Sequence, residues 1–96
     1  MRQKCRRVPP APLAPDIPAL LAARDAALLS MDEQQIRAYY QEYNGATMPI
    51  DPDVFWLSVH KARTALRSLP LEARQLSKRW LLERGSKPLD NGEIPL

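Results

Sequence analysis

The sequence is poor in histidine and cysteine, the side chains that most often act as nucleophiles, bases or transition-metal ligands. It has one histidine, His60, and one cysteine, Cys5. One imidazole without a second His, Cys or suitably spaced carboxylate makes a poor metal site. A single thiol cannot form an intramolecular disulfide, and Cys5 lies in a proline-rich basic stretch that offers no pocket for a substrate. We therefore expect no metal and no cofactor.

Nucleophile and phosphate-binding motifs are also missing from the sequence. Its three glycines form no Gly-rich phosphate cradle, and no serine lies in a GxSxG elbow. Asp51 and Asp53 flank a proline at a predicted helix start, where capping accounts for both carboxylates. No acid, base and nucleophile can be combined into a catalytic group, so we expect that the protein is not an enzyme.

Aromatic and basic side chains on one helical face form the main candidate binding site. At about 100° per residue, Trp56, His60, Arg63 and Arg67 lie within about 60° of one another on a predicted helix. Arg74 and Lys78 lie together on the next helix. If the corner at Pro70 folds the two helices together, both groups contribute to one surface. The predicted partner-binding residues are therefore Trp56, His60, Arg63, Arg67, Arg74 and Lys78.

The elements that must position these residues are helices, and the first two are marked by their ends. Asp16 can cap a first helix that runs to about Leu29, with a proline in its opening turn. Ser30-Met31-Asp32-Glu33 has the capping-box pattern, so the second helix is predicted to begin at Ser30. Asn44-Gly45 suits its C-terminal end. Three tyrosines share a stripe of this helix, which favours core packing with the hydroxyls at the rim over base stacking.

The third and fourth helices meet at Pro70. Asp51-Pro52 predicts the start of a helix that runs to about Leu69, with a heptad-like apolar seam of Phe55, Val59, Ala62, Leu66 and Leu69. The fourth helix is predicted from Pro70 to about Arg84, with Gly85 as its cap. Its apolar line is Ala73, Leu76 and Trp80. The fold class is therefore all-α, a small bundle of about four short helices.

Proline and charge patterns divide the chain into three segments. Residues 1–15 read as a disordered, basic, Pro-rich arm, with a dedicated binding arm as the alternative; the prolines disfavour a secretory signal or a transit peptide. Residues 16–87 form the predicted helical domain, and residues 88–96 a flexible acidic tail. No run of about 18 apolar residues exists, so we expect no membrane span and a cytoplasmic location.

The net charge of +3 is unevenly distributed. Residues 16–53 hold two basic and seven acidic side chains, whereas residues 61–87 hold eight basic and two acidic ones. One interpretation is that these charges are only the solvated faces of amphipathic helices. The other is that the basic half attracts an acidic partner.

Two functional hypotheses follow from this pattern. The first is a small regulatory interaction module that docks an acidic protein partner through the basic surface of its C-terminal helical pair; Trp and Arg are typical of binding hot spots. In a variant of it, Leu71 and Leu82 complete a homo-oligomer. The alternative is nucleic-acid binding by the same basic helices and the N-terminal arm, although no named recognition motif is present.

Overall fold

The computed structural model describes residues 16–96 and confirms an all-α fold. Its helices are α1 (Ile17–Ser30), α2 (Glu33–Asn44), α3 (Pro52–Ala65) and α4 (Leu71–Glu83), and this range contains no strand. The arm predicted over residues 1–15, which includes Cys5, lies outside the described residues.

Aspartate caps begin the first three helices. Asp16 accepts a hydrogen bond from the Ala19 amide, and Asp51 accepts one from the Asp53 amide at 2.8 Å, as their positions predicted. The cap of α2 is Asp32, so the prediction of Ser30 was wrong. Ser30 is the last residue of α1, where its hydroxyl donates to the Ala27 carbonyl at 2.6 Å and accepts from the Asp32 amide at 3.1 Å, and Asp32 in turn accepts from the Gln34 amide of α2.

Helix α3 ends earlier than predicted, at Ala65. Leu66 has extended backbone (φ −104°, ψ 109°), and Leu69 then turns inward, where only 3% of it is exposed. Pro70 disfavours helical geometry in the residue before it, which prevents the helix from continuing to Leu69. At the end of α4, Gly85 takes φ +73° and its amide donates to the Leu82 carbonyl, an ending that a glycine tolerates without strain.

The helices pair into two hairpins that share one core. Helix α1 packs against α2, and α3 packs against α4. The predicted seam of α3 joins the hairpins, because Phe55 and Val59 are buried together with residues of α1 and α2. The buried members of this core are Ala27, Leu28, Ile36, Phe55 and Val59.

The buried face of α4 differs from the predicted one. Leu76, expected in the apolar line, is 53% exposed, whereas Ser77 and Leu81 are fully buried. The helix is therefore rotated by about one residue, or about 100°, relative to the expectation. This rotation places a serine hydroxyl at the α3–α4 interface, where it meets His60.

Residues 88–96 pack on α3 and α4 instead of forming the predicted loose tail, and we call them the C-terminal strap. Ile94 is 1% exposed and Asp90 7% exposed. The Leu89 amide donates to the Thr64 hydroxyl at 3.0 Å. Asn91 and Gly92 both have positive φ (52° and 82°), and the Glu93 amide donates to the Asp90 carbonyl, which together form a type I′ turn.

Candidate functional site

The six predicted partner-binding residues do not form one exposed surface. Trp56 and His60 lie at the end of the α3–α4 hairpin where α4 finishes, and they line a cleft. Arg67, Arg74 and Lys78 lie toward the Pro70 corner, beside the strap. Arg63 is buried between these groups. The two groups separate because the predicted strip of α3 is the side on which α4 packs.

Arg63 is the clearest departure from the predicted surface. It is 4% exposed, and its guanidinium donates to the Met31 sulfur and, at 3.4 Å, to the Ala73 carbonyl. Its Nε atom is buried without a hydrogen-bond partner among the described residues. Burial lowers the pKa of Arg63 because it penalises the charged form. This side chain joins α3, α4 and the α1–α2 turn and is not free to contact a partner.

His60 lies at the floor of the cleft and is only 2% exposed. Its Nδ1 lies 2.9 Å from the Ser77 hydroxyl, and its ring stacks on Trp80 with 4.1 Å between centroids. Burial, together with the nearby Arg63 and Arg84 guanidinium groups, lowers the pKa of His60 to about 4. The imidazole is therefore neutral at neutral pH, and Nδ1 is already engaged with Ser77.

The aromatic cleft itself is an open cavity of about 860 Å³. This volume lies within the range of ligand sites, about 300–1,000 Å³. Asp53 brings a carboxylate to it from the first turn of α3, and Arg84 brings a guanidinium from the end of α4. The residues that line the aromatic cleft are Met31, Asp53, Trp56, Leu57, His60, Trp80, Arg84 and Ser86.

Arg84 and Trp80 form a pre-arranged pair on one side of the aromatic cleft. The Arg84 guanidinium lies 3.8 Å from the centroid of the Trp80 ring and donates to the Trp80 carbonyl at 3.2 Å. These contacts restrain a side chain that is otherwise exposed at the end of the helix. Restraint lowers the entropy lost when such a group binds a ligand.

The basic residues near the Pro70 corner are engaged by the strap. The Lys78 amine lies 3.0 Å from the Asp90 carboxylate, with side-chain exposures of 14% and 3%. Arg67 pairs with Glu93 in an exposed position. Burial raises the pKa of Asp90, but the hydrogen bond from Lys78 and those from the Gly92 and Ile94 amides together outweigh it, so the pKa is lowered. Two of the four predicted cations, Arg67 and Lys78, are thus paired with carboxylates of the strap.

Sequence reasoning missed Trp80, Arg84 and Ser77 as neighbours of His60. Their spacing shows that Trp80 and Arg84 share one helical face, but it does not show that this face meets His60 on α3. The strap had a signal, since Asn-Gly favours a type I′ turn and marks an ordered reversal of the chain. Ser77 had no signal, because its place depends on the rotation of α4.

Comparisons with protein-family models, curated proteins and solved structures find no match to this chain. Among residues 16–96, no helix is long and apolar enough to cross a membrane. The same residues contain no cluster of three or more His, Cys, Asp or Glu side chains that could hold a metal ion.

Proposed function

We propose that this protein is an interaction module whose aromatic cleft binds a segment of an acidic protein partner. The single observation that carries the proposal is the cleft itself, an open cavity of about 860 Å³ in which two tryptophans and an arginine converge. Trp and Arg are strongly enriched among residues that dominate binding energy. A partner's apolar side chain would be held by Trp56, Leu57 and Met31.

Charge supports an acidic partner. Residues 61–96 hold eight basic and four acidic side chains, so this half of the molecule stays basic even when the strap is included. The Arg84 guanidinium lines the aromatic cleft, and its contact with the Trp80 ring restrains its position. An acidic residue beside the partner's apolar anchor would pair with Arg84, and the field of the basic half would accelerate association.

Nucleic acid remains the alternative ligand, and the positions of the basic residues favour protein over it. Phosphate binding needs several free cations, whereas of the four cations on the predicted surface Lys78 and Arg67 are paired with strap carboxylates and Arg63 is buried.

Intrinsic tryptophan fluorescence is a direct probe of the aromatic cleft, because both tryptophans of the chain line it. We expect acidic peptides with one central Leu or Phe to shift the emission in a saturable way, and matched peptides with Lys in place of Glu not to do so. Single-stranded and duplex DNA serve as the nucleic-acid arm. Binding to DNA alone, with log affinity falling linearly with log salt, would overturn the proposal in favour of the alternative.

Arg79, within α4, and Arg84, directly after it, provide a matched pair of variants. Arg84→Glu reverses the charge on the aromatic cleft, whereas Arg79→Glu reverses an exposed charge of the same helix that does not line it. We expect Arg84→Glu to weaken peptide binding by about tenfold or more and Arg79→Glu to change it by less than about threefold. Equal effects of the two variants would show that the cleft is not the site.

A further inference from the structure

The C-terminal strap occupies a groove between α3 and α4 through a defined chemical pattern. Asp90 and Ile94, four residues apart, are both buried. Lys78 contacts the strap twice, because its amine pairs with the Asp90 carboxylate and donates to the Ile94 carbonyl. The groove therefore accommodates a carboxylate and, four residues further along the chain, an aliphatic side chain.

The strap leaves part of the groove unfilled and, among residues 16–96, one polar atom of the groove without a hydrogen bond. A polar cavity of about 190 Å³ remains between the strap and the two helices. The Nε atom of Arg74, which lines this cavity, is buried without a hydrogen-bond partner among the described residues. The residues around the cavity are Thr64, Ala65, Arg67, Arg74, Leu89, Asp90, Asn91 and Glu93. A ligand with one more carboxylate near Arg74 would complete the set of contacts that the strap leaves incomplete.

We propose that this groove is a second interaction surface, whose ligand is an acidic protein segment that replaces the strap. The ligand has a buried Asp and a buried aliphatic residue at the spacing of Asp90 and Ile94, and a further acidic residue opposite Arg74. The inference rests on the contacts of the strap and is independent of the aromatic cleft. A nucleic acid offers no aliphatic side chain to fill the place of Ile94.

Competition with the strap determines when such a ligand binds. A tethered segment is present at an effective concentration on the order of millimolar. The strap therefore keeps the groove closed to weak ligands and admits those that bind more tightly than it does. Loosening the strap should consequently raise the affinity for an external segment of the same chemistry.

The test uses a fluorescently labelled peptide with the sequence of residues 87–96, Lys-Pro-Leu-Asp-Asn-Gly-Glu-Ile-Pro-Leu. It is titrated against the full chain and against the full chain with Asp90→Ala and Ile94→Ala, whose helix content is checked by circular dichroism. We expect the variant to bind the peptide at least about tenfold more tightly than the wild type does. A control peptide with Ala at its own Asp and Ile positions should bind neither protein.

A second peptide tests the role of Arg74. Replacing the Asn that corresponds to Asn91 by Asp supplies this further carboxylate and should tighten binding to the variant by about threefold or more. Adding Arg74→Gln to the variant should remove that gain. If the double substitution unfolds the protein, Ile94→Ala alone takes its place, with the same order of affinities expected. Equal binding to wild type and variant, or equal binding of the control peptide, would overturn the proposal.

Discussion

His60 shows how one buried side chain connects the fold to the candidate site. It is almost fully enclosed, yet it lines the aromatic cleft and stacks on Trp80. Burial disfavours the charged imidazole, and the nearby guanidinium groups of Arg63 and Arg84 disfavour a further positive charge beside them. The neutral imidazole is therefore part of the packing of the hairpin as well as part of the floor of the cleft.

The pH dependence of stability should report on this histidine. The pKa of His60 is lowered from 6.5 to about 4 in the folded state, so the unfolded chain binds the proton more readily. Stability is then complete above the unfolded pKa and falls as the pH drops toward the folded one. We expect the free energy of unfolding to fall by about 2 kcal/mol between about pH 7.5 and about pH 5 in urea titrations.

His60→Gln is the matched control for this measurement. Glutamine keeps a polar group near Ser77 but does not titrate, and His60 is the only histidine of the chain. The loss of stability between about pH 7.5 and about pH 5 should therefore largely disappear in this variant. An unchanged pH dependence would mean that another group is responsible.

At the residue scale, the sequence correctly predicted which side chains of α3 lie near one another, but not which of them are exposed to solvent. Trp56, His60 and Arg63 do lie on one strip of α3, as helical periodicity requires. Periodicity gives only the relative angles of side chains within one helix. Whether the strip faces water or α4 depends on how two helices cross, and this is set by packing that a single helix does not encode.

The orientation of α4 is the main difference at the scale of the elements. The sequence placed Leu76 in the apolar line of α4, whereas the structure buries Leu81 completely and leaves Leu76 53% exposed. This orientation of α4 places Lys78 on the buried side of the helix, where its amine pairs with the Asp90 carboxylate. Polar contacts with the strap thus help to fix the rotation of a helix whose apolar residues are spread around it.

Truncation of the two leucines tests this orientation. Leu81→Ala should lower the free energy of unfolding by about 3 kcal/mol, because it leaves a cavity in a packed interior. Leu76→Ala, made on the same helix, should change it by less than about 0.5 kcal/mol. Chemical denaturation followed by circular dichroism measures both. Comparable losses would mean that Leu76 is covered, as in an oligomer.

The strap provides a second prediction at this scale. Asp90→Asn removes one partner of a buried ion pair and leaves Lys78 uncompensated, so we expect a loss of about 3 kcal/mol. Glu93→Gln breaks an ion pair whose Arg67 is 76% exposed, and should cost less than about 1 kcal/mol. The pair of variants, measured by urea denaturation, distinguishes a structural strap from a loosely attached tail. Similar small losses in both would support the loose tail.

Three of the residues that mark helix ends were predicted correctly from the sequence. Asp16, Asp51 and Gly85 act where their residue types indicated, because capping depends on a few adjacent residues. Ser30 was misassigned because two acceptable caps, Ser30 and Asp32, stand two residues apart. Asn91-Gly92 indicated a turn in the strap, but its packing on α3 and α4 was missed because it comes from long-range contacts with Thr64 and Lys78 that local patterns do not show.

At the scale of the whole molecule, two hairpins of opposite charge share a single core. Phe55 of α3 is fully buried beside residues of α1 and α2. The Arg37 guanidinium of α2 lies 4.3 Å from the centroid of the Phe55 ring. Arg24 of α1 also donates to the Ser68 hydroxyl beyond α3. These contacts couple the hairpins, so neither should unfold alone.

The aromatic residues provide a separate probe for each hairpin. All three tyrosines lie in α2, and both tryptophans lie in α3 and α4. In a urea titration, the near-ultraviolet circular dichroism of the tyrosines and the fluorescence of the tryptophans should therefore change at the same midpoint. Phe55→Ala should lower both midpoints together, with a loss of about 3–5 kcal/mol. If only the tryptophan signal moved, the hairpins would be independent units, because Phe55 itself belongs to the α3–α4 hairpin.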